Sequence, residues 1–449
     1  MDGSVVRPEG LGPAPSPPLP LDRRARRRAT TLMIAVRAGY AYNWFTIGPA
    51  LPAIGLAYGV GPVEWGYLVG AFLVAAGLLQ VPAGMLSRRW GSRRTALTGA
   101  ALLGLASLAS PLAPSFDGLL LLRAAAGAGA ALFFSPAIGL VGSLYAEGER
   151  GLPVGTFSSA FSAGAAAGIV VSALVVATLG WSVDLAVGGA GLLALTAAAW
   201  LGIPPAAGAR PSRPSGARGP WGASVPRALR LRSIWAIGLA FVGLEGASFA
   251  TGQFIVPYGT TTLGWSAALA GGVGMAFVFP SVFGGPVGGV VAERRTNRRT
   301  QLAAATAIGA GTLFALPWAG AAGAAAIGTA FSFGYGFVYA VMYVLPAYLP
   351  GLPDDEIPIG IGLFNAIQLA GGAAVSAAFG AWVGLYGYPI AWVLLAAAAI
   401  VPLGALALVP RTGRRNGLGP SRTSGRSDSP DSAAGSAGTG SARAGRAGG

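Results

Sequence analysis

Twelve apolar runs, each long enough to cross a lipid bilayer as a helix, occupy most of this 449-residue chain. A spanning helix needs about 20 mostly apolar residues. The runs are apolar on all sides rather than along one stripe, as burial in lipid requires. The sequence therefore predicts an all-α polytopic membrane protein with 12 transmembrane helices. We place the spans at 30–56, 65–86, 94–113, 117–144, 151–179, 182–203, 232–258, 266–292, 300–319, 321–349, 357–384 and 387–409.

The composition limits the chemistry that the chain can perform. It contains no Cys and no His, so thiolate chemistry, histidine general bases and histidine metal sites are excluded. All 30 basic residues are Arg, which stays protonated in proteins. Only the 15 Asp and Glu side chains can therefore carry a proton near neutral pH. We expect no metal, no cofactor and no enzymatic activity.

The positions of the arginines predict the orientation, because cytoplasmic loops collect basic residues. With a cytoplasmic N-terminus, every Arg except Arg37 and Arg123 falls in a cytoplasmic loop or tail. The loops on the other side carry Glu64, Asp117 and Asp184 instead. The net charge of +15 thus indicates topology rather than nucleic-acid binding. Both termini are expected in the cytoplasm, with the chain in the plasma membrane of a prokaryote.

Changes in composition predict five regions. Residues 1–28 are Pro-rich and then basic, and residues 411–449 are rich in Ser, Gly and Arg, so both are expected to be disordered cytoplasmic tails. A Pro-, Gly- and Arg-rich linker at 204–231 separates six predicted helices at 29–203 from six at 232–410.

The two halves repeat a cytoplasmic loop segment. "GMLSRRWGSRR", Gly84 to Arg94, and "GVVAERRTNRR", Gly289 to Arg299, lie 205 residues apart. Both resemble the loop motif G-x-L-A-D-R-x-G-R-R of the major facilitator superfamily. In the fourth span, "LLLLRAAAGAGAAL" is similar to the family pattern R-x-x-x-G-x-G-A and places its arginine at Arg123, although Arg123 could instead extend to the headgroups.

The resemblance implies two six-helix bundles related by a pseudo-two-fold axis, and secondary transport of a small solute by alternating access. It also implies a central cavity lined by the first, fourth, seventh, tenth and eleventh helices. The polar residues there are candidates for contact with solute, and each could instead serve helix packing. They are Arg37, Tyr40, Tyr42, Asn43, Arg123, Gln253, Tyr335, Tyr339, Asn365 and Gln368.

Glu245 is the predicted proton-coupling residue. It lies about 20 Å along the seventh span, near the middle of a hydrocarbon core about 30 Å thick. We expect Asp184 and the other carboxylates at loops or helix ends. Two alternatives remain open for Glu245: a permanent ion pair with Arg37 or Arg123, and direct binding of a cationic group on the solute.

The resemblance also implies a gate between the halves. Its acidic position is Arg88 here, so we expect Arg88 to pair with Asp354, Asp355 or Glu356, and Glu293 to pair with Arg150. The alternative is that these are solvated loop charges, because exposed pairs contribute only about 0–1 kcal/mol. The remaining gate candidates are Gly84, Arg89, Gly91, Arg93, Arg94, Arg294 and Arg298.

Direction and solute are less constrained. Gly155, Gly164 and Gly168 fit part of the helix-five pattern of exporting family members, but Ile169 replaces its Pro, which weakens an export assignment. Gly164 and Gly168 could equally form a G-x-x-x-G packing face. We therefore predict a proton-coupled symporter of a small organic or inorganic anion, monomeric and in contact only with lipid, solute and protons. The alternatives are a drug or metabolite efflux antiporter and, in another class, a passive channel or membrane scaffold.

Overall fold

The computed structural model describes residues 21–146, 149–205, 207, 230–294, 297–345 and 357–409. Within these ranges the chain is helical and contains no strand. The α-helices are α1 (Arg23–Phe45), α2 (Ile47–Tyr58), α3 (Pro62–Leu78), α4 (Gln80–Trp90), α5 (Ser92–Ala109), α6 (Phe116–Ser143), α7 (Gly151–Leu179), α8 (Trp181–Gly202), α9 (Arg232–Pro257), α10 (Ala267–Ala276), α11 (Ser281–Arg294), α12 (Arg298–Gly311), α13 (Ala321–Val344) and α14 (Ile357–Ile400).

These helices trace twelve crossings of the bilayer within the described ranges. Eight helical segments are individually long and apolar enough to span, and α3 with α4 adds a ninth, bent by 43°. α14 contains two crossings, because Gly387 interrupts it with a non-helical φ of 79° and ψ of 167°. The first crossing is divided at Thr46 between α1 and α2, and the ninth continues from α12 into a 3₁₀ helix, Thr312–Trp318. The predicted all-α fold with twelve spans is confirmed.

Glycines allow the helices within the first half to approach closely. A Cβ on Gly164 of α7 would collide with the carbonyl oxygen of Ala38 in α1, and a Cβ on Gly168 would lie 2.7 Å from that of Tyr42. Gly164 and Gly168 therefore form a packing face for α1, as in the G-x-x-x-G alternative considered for this pair.

The turns repeat between the halves. Gly59 (φ 68°) ends α2, and Gly264 (φ 66°), 205 residues later, lies in the corresponding turn before α10. Gly180, between α7 and α8, has φ 87° and ψ 163°, close to the values at Gly387. These left-handed conformations are accessible to glycine at little cost. The repeat of six helices that the loop motif indicated is thus also present in the backbone conformation of the turns.

The two halves contact each other from the end opposite the arginine-rich segments to the middle of the molecule. A Cβ on Gly48 of α2 would lie 2.7 Å from the carbonyl oxygen of Gln253 in α9, and one on Gly66 of α3 would lie 2.9 Å from that of Ala377 in α14. Nearer the middle, the Ser162 and Ser281 hydroxyls lie 3.0 Å apart. The molecule is therefore closed at that opposite end.

The first helix begins inside the predicted N-terminal tail. α1 begins at Arg23, with the Asp22 carboxylate accepting a hydrogen bond from the amide of Ala25 at 2.7 Å. The predicted tail of 1–28 is thus too long, because an aspartate N-cap starts the helix before the apolar run does. The predicted tail at 411–449 and most of the linker at 204–231 lie outside the described residues.

Candidate functional site

Glu245 lies in the middle of α9 and is only 6% exposed. Its Oε2 accepts a hydrogen bond from the Tyr335 hydroxyl of α13 at 3.0 Å. The carboxyl borders a cavity of about 10 Å³, which has room for about one water molecule. The other residues that line the cavity are Phe241, Leu244, Val338, Tyr339, Met342 and Gln368. Glu245, Tyr335, Tyr339 and Gln368, all predicted from the sequence, are thus brought together.

Glu245 forms no salt bridge with Arg37 or Arg123 in this conformation. Its methylene chain packs on Gly372 of α14, where a Cβ would lie 3.2 Å from Cγ. A buried carboxylate without a cation is costly unless it takes up a proton. In this conformation the carboxyl therefore has the Tyr335 hydroxyl as its partner rather than Arg37 or Arg123.

Arg37, on the first-half helix α1, is surrounded by aromatic rings. Its guanidinium carbon lies between 4.6 and 5.5 Å from the ring centres of Tyr40, Phe134, Phe157 and Phe161. Rings at this distance stabilise a cation through their negative faces. Arg37 is therefore buried within the first half rather than extended to the headgroups.

Arg123 of α6 is 3% exposed and lies over the Phe72 ring, 4.7 Å from its centre. No carboxylate of the described chain forms a salt bridge with it. A chain of aromatic contacts leads from it to the second half. Phe72 contacts Trp44 at 4.7 Å, and Trp44 stacks on Phe249 at 5.5 Å. Phe249 lies one helical turn beyond Glu245, on the same face of α9.

Three predicted cavity residues make hydrogen bonds of the helix-packing kind in this conformation. Asn43 donates to the carbonyl oxygens of Gly39 and Gly188, both at 2.9 Å, and so joins α1 to α8. Gln253 donates to the Trp44 carbonyl at 2.8 Å, and Asn365 donates to Gln80 at 2.8 Å, and both of these bonds link the two halves.

The tyrosines and Gln368 have partners within their own halves. The Tyr40 hydroxyl donates to the Ala130 carbonyl at 3.4 Å, and Gln368 donates to the Met342 sulfur at 2.8 Å. The rings of Tyr335 and Tyr339 lie 5.7 Å apart.

Asp184 is a buried carboxyl whose burial the sequence did not reveal. It lies in the first turn of α8, as expected for a helix end, yet it is 0% exposed. Its Oδ1 accepts a hydrogen bond from the Tyr42 hydroxyl at 3.4 Å, so Tyr42 faces α8 rather than Glu245. Gly188, one turn along α8, packs against the Tyr42 ring and Asn43. This glycine is the sequence feature from which a close contact between α8 and α1 could have been predicted.

The predicted gate is described only in part. The side chains of Arg88, Glu293 and Arg294, and all of Asp354, Asp355 and Glu356, lie outside the described residues. Arg150 is exposed and donates to the Tyr145 carbonyl at 3.1 Å. Gly91 forms the turn between α4 and α5 with φ 85°, and no atom lies within 4 Å of a Cβ built on Gly84.

Two arginines of the predicted gate are buried. Arg93 donates to the carbonyls of Ile203, at 2.9 Å, and Trp200, and thereby caps the end of α8. Arg298, its counterpart in the repeat, is 4% exposed, and its neighbour Arg299 donates to the Val409 carbonyl at 3.3 Å. Arg89 and Arg94 are exposed.

Comparison with known proteins places this arrangement in a family. The sequence profile of the Major Facilitator Superfamily matches residues 33–374. A bacterial homolog of the human lysosomal transporter Spinster, solved in an inward-facing and occupied conformation, superimposes with a TM-score of 0.70 at 15% identity, covering 87% of this chain and 98% of that one. The likeness extends over the whole fold.

Two curated relatives match shorter stretches. The puromycin resistance protein of Streptomyces alboniger is 33% identical over 133 residues, covering 29% of this chain and 26% of the relative. The tetracenomycin C resistance and export protein of Streptomyces glaucescens is 30% identical over 194 residues, covering 42% of this chain and 35% of the relative. The matched region thus spans about a quarter to a third of each relative's length.

Proposed function

Because the chain belongs to the Major Facilitator Superfamily, we propose that it is a secondary active transporter that exports an organic solute in exchange for protons. The family consists of membrane transporters rather than enzymes, as the composition predicted. The names of the relatives, which concern antibiotic resistance and export, favour efflux over the symport expected from the sequence. The incomplete helix-five pattern gives efflux no support, because Ile169 replaces its Pro and because Gly164 and Gly168 have a packing role in this chain.

The observation that carries the proposal is the Glu245 carboxyl, buried beside a cavity with Tyr335 as its hydrogen-bond partner. In the closed conformation the protonated, neutral form of Glu245 is favoured, because protonation removes the free-energy cost of burying a charge. When the halves separate, water reaches the site and the proton can leave. A solute that donates to the ionised carboxylate competes with the proton, because both bind the same carboxylate oxygens.

The aromatic contacts around the site indicate the class of solute. Trp44, Phe72 and Phe249 lie between Arg123 and α9, and they are packed against one another in the closed state. When the halves separate, their faces become available for stacking with a flat ring. We therefore propose a solute that carries an aromatic ring.

Proton-coupled symport of an organic anion is the second candidate, and Arg123 is the observation that favours it. Arg123 is a buried cation that has no salt bridge with a described carboxylate, which suits an anion. In that mechanism a proton on Glu245 removes a repelling charge, so the proton strengthens solute binding. In the antiport mechanism it weakens solute binding. The pH dependence of solute affinity therefore distinguishes the two candidates.

Glu245→Gln tests proton coupling. Proteoliposomes containing a trapped pH-sensitive dye are given puromycin as the probe, and proton movement is recorded alongside exchange of labelled puromycin. We expect the variant to lose solute-driven proton movement while it still exchanges puromycin, at higher concentrations than the parent, because the neutral amide resembles protonated Glu245. Glu149→Gln, which removes a carboxylate whose side chain is 64% exposed, is the control and should behave as the parent protein. Unchanged proton movement in Glu245→Gln would refute the role of this carboxyl.

A passive channel or scaffold would not accumulate solute against its gradient under an imposed pH difference, whereas the proposed transporter does. We further propose that the protein is a monomer in the plasma membrane of a prokaryote, with the arginine-rich end and both termini in the cytoplasm. The positions of the arginines support this orientation.

A further inference from the structure

A cavity of about 490 Å³ opens at the arginine-rich end of the first half, away from Glu245. It lies where α1 and α5 begin and α8 ends. Three arginines line it, and no acidic residue of the described chain does. The lining residues are Arg28, Arg93, Arg94, Trp200, Leu201, Gly202, Ile203, Pro204 and Pro205.

The three arginines differ in what they already bind. Arg93 is committed to the carbonyls at the end of α8, and its guanidinium carbon lies 5.2 Å from the centre of the Trp200 ring. Arg28 and Arg94 are exposed, and neither forms a salt bridge in the described chain. The Arg28 guanidinium rests on Gly202, where a Cβ would lie 3.3 Å from both Nε and Nη2. Two guanidinium groups are thus available to an anion in the cavity.

The rim of the cavity is apolar and faces outward. Trp200 is 43% exposed and Leu201 is 86% exposed, although both lie in the last turn of a membrane-spanning helix. In a membrane protein, such side chains contact lipid, and tryptophan is enriched at the level of the headgroups. The cavity therefore opens into the bilayer at headgroup depth.

We propose that this cavity binds the headgroup phosphate of an anionic phospholipid. Arg28 and Arg94 bind the phosphate oxygens, for which guanidinium groups are suited, while Trp200 and Leu201 contact the start of the acyl chains. Basic pockets between helices on the cytoplasmic side are the expected sites for such headgroups. The bound lipid joins α1, α5 and α8 at one end of the first half. This site does not depend on the proposed solute or on proton coupling.

The test compares lipid binding by the full chain and by two doubly substituted variants. Arg28→Gln/Arg94→Gln removes the two available guanidinium groups. Arg24→Gln/Arg27→Gln is the control, because it removes the same charge from exposed residues at the same end that do not line the cavity. Each protein is placed in nanodiscs of phosphatidylcholine with or without phosphatidylglycerol, and bound lipid is counted by native mass spectrometry.

We expect the parent and control proteins to retain phosphatidylglycerol in preference to phosphatidylcholine. The cavity variant should bind phosphatidylglycerol about 30-fold more weakly, given the typical contribution of two arginines near an anionic surface. Equal retention by the cavity and control variants would overturn the proposal. So would displacement of phosphatidylglycerol by inorganic phosphate at millimolar concentration, because that result indicates a site for a soluble anion.

Discussion

Glu245 and Asp184 are the two buried carboxyls of the described chain, and their surroundings differ. Asp184 lies among helices of the first half, with Tyr42 of α1 as its hydrogen-bond donor. Glu245 lies on the helix that carries Phe249 to the contact with Trp44 of the other half. Glu245 therefore lies one helical turn from a contact between the two halves, whereas the printed partner of Asp184 belongs to its own half.

Asp184→Asn should preserve pH-driven transport, in contrast to Glu245→Gln. The amide keeps an oxygen acceptor for the Tyr42 hydroxyl and removes a charge that is costly to bury. The measurement is solute-driven proton movement in proteoliposomes, with the amount of folded protein followed by size-exclusion chromatography. Loss of coupling in well-folded Asp184→Asn would show that the proton pathway includes the first half.

Candidate residues could be singled out from the sequence only where the chemistry left few alternatives. Glu245 could be singled out because the chain lacks His, Lys and Cys and this carboxylate lies deep in an apolar span. Asn43, Gln253 and Asn365 could not be separated from solute-contacting residues, because their hydrogen-bond partners lie on other helices. Asp184 was missed for the same reason, since a residue near a helix end can be exposed or covered by a neighbour.

The helix α7 depends on glycine at one position and tolerates a side chain at another. Gly164→Ala should reduce the yield of folded protein, because its Cβ collides with the Ala38 carbonyl oxygen of α1. Gly155→Ala, on the same helix, has no atom within 4 Å of the new Cβ. It should be neutral or stabilising by up to about 1 kcal/mol, as expected for alanine over glycine in a helix. Thermal unfolding in detergent compares the two variants, and equal midpoints would contradict the packing role.

Spans without sharp breaks were predicted closely from hydropathy. The prediction of 117–144 corresponds to α6, Phe116–Ser143, and that of 182–203 to α8, Trp181–Gly202. Interruptions inside a span were not predicted. The division of the first crossing lies just before Pro49, and the bend between α3 and α4 lies just before Pro82. A proline lacks the N–H that would bond to the residue four positions earlier, and hydropathy does not record this.

The closed end of the molecule offers a way to shift its equilibrium between states. Gly48→Ala places a Cβ against the Gln253 backbone of the other half, so it disfavours only the state in which that end is closed. We expect the variant to fold and to favour opening at that end. Gly272→Ala is the control, because no atom lies within 4 Å of its Cβ.

Spin labels on Leu56→Cys and Leu263→Cys report the separation of the halves. Both side chains are exposed, and the chain has no native cysteine to take up label. Pulsed electron paramagnetic resonance should show a longer distance between the two labels in Gly48→Ala than in the labelled parent protein or in labelled Gly272→Ala. An unchanged distance distribution would contradict the proposed contact between the halves.

The turn at Gly387 also bears on how the protein is made. α14 reverses direction at this one left-handed residue, and Gly180 joins α7 to α8 in the same conformation. During synthesis, neither turn offers a hydrophilic loop that could cross the membrane separately from its helices. We expect each of these helix pairs to leave the insertion machinery as a preformed hairpin. If synthesis stalled after the first helix of either pair, that helix would lack the second helix with which it forms the hairpin.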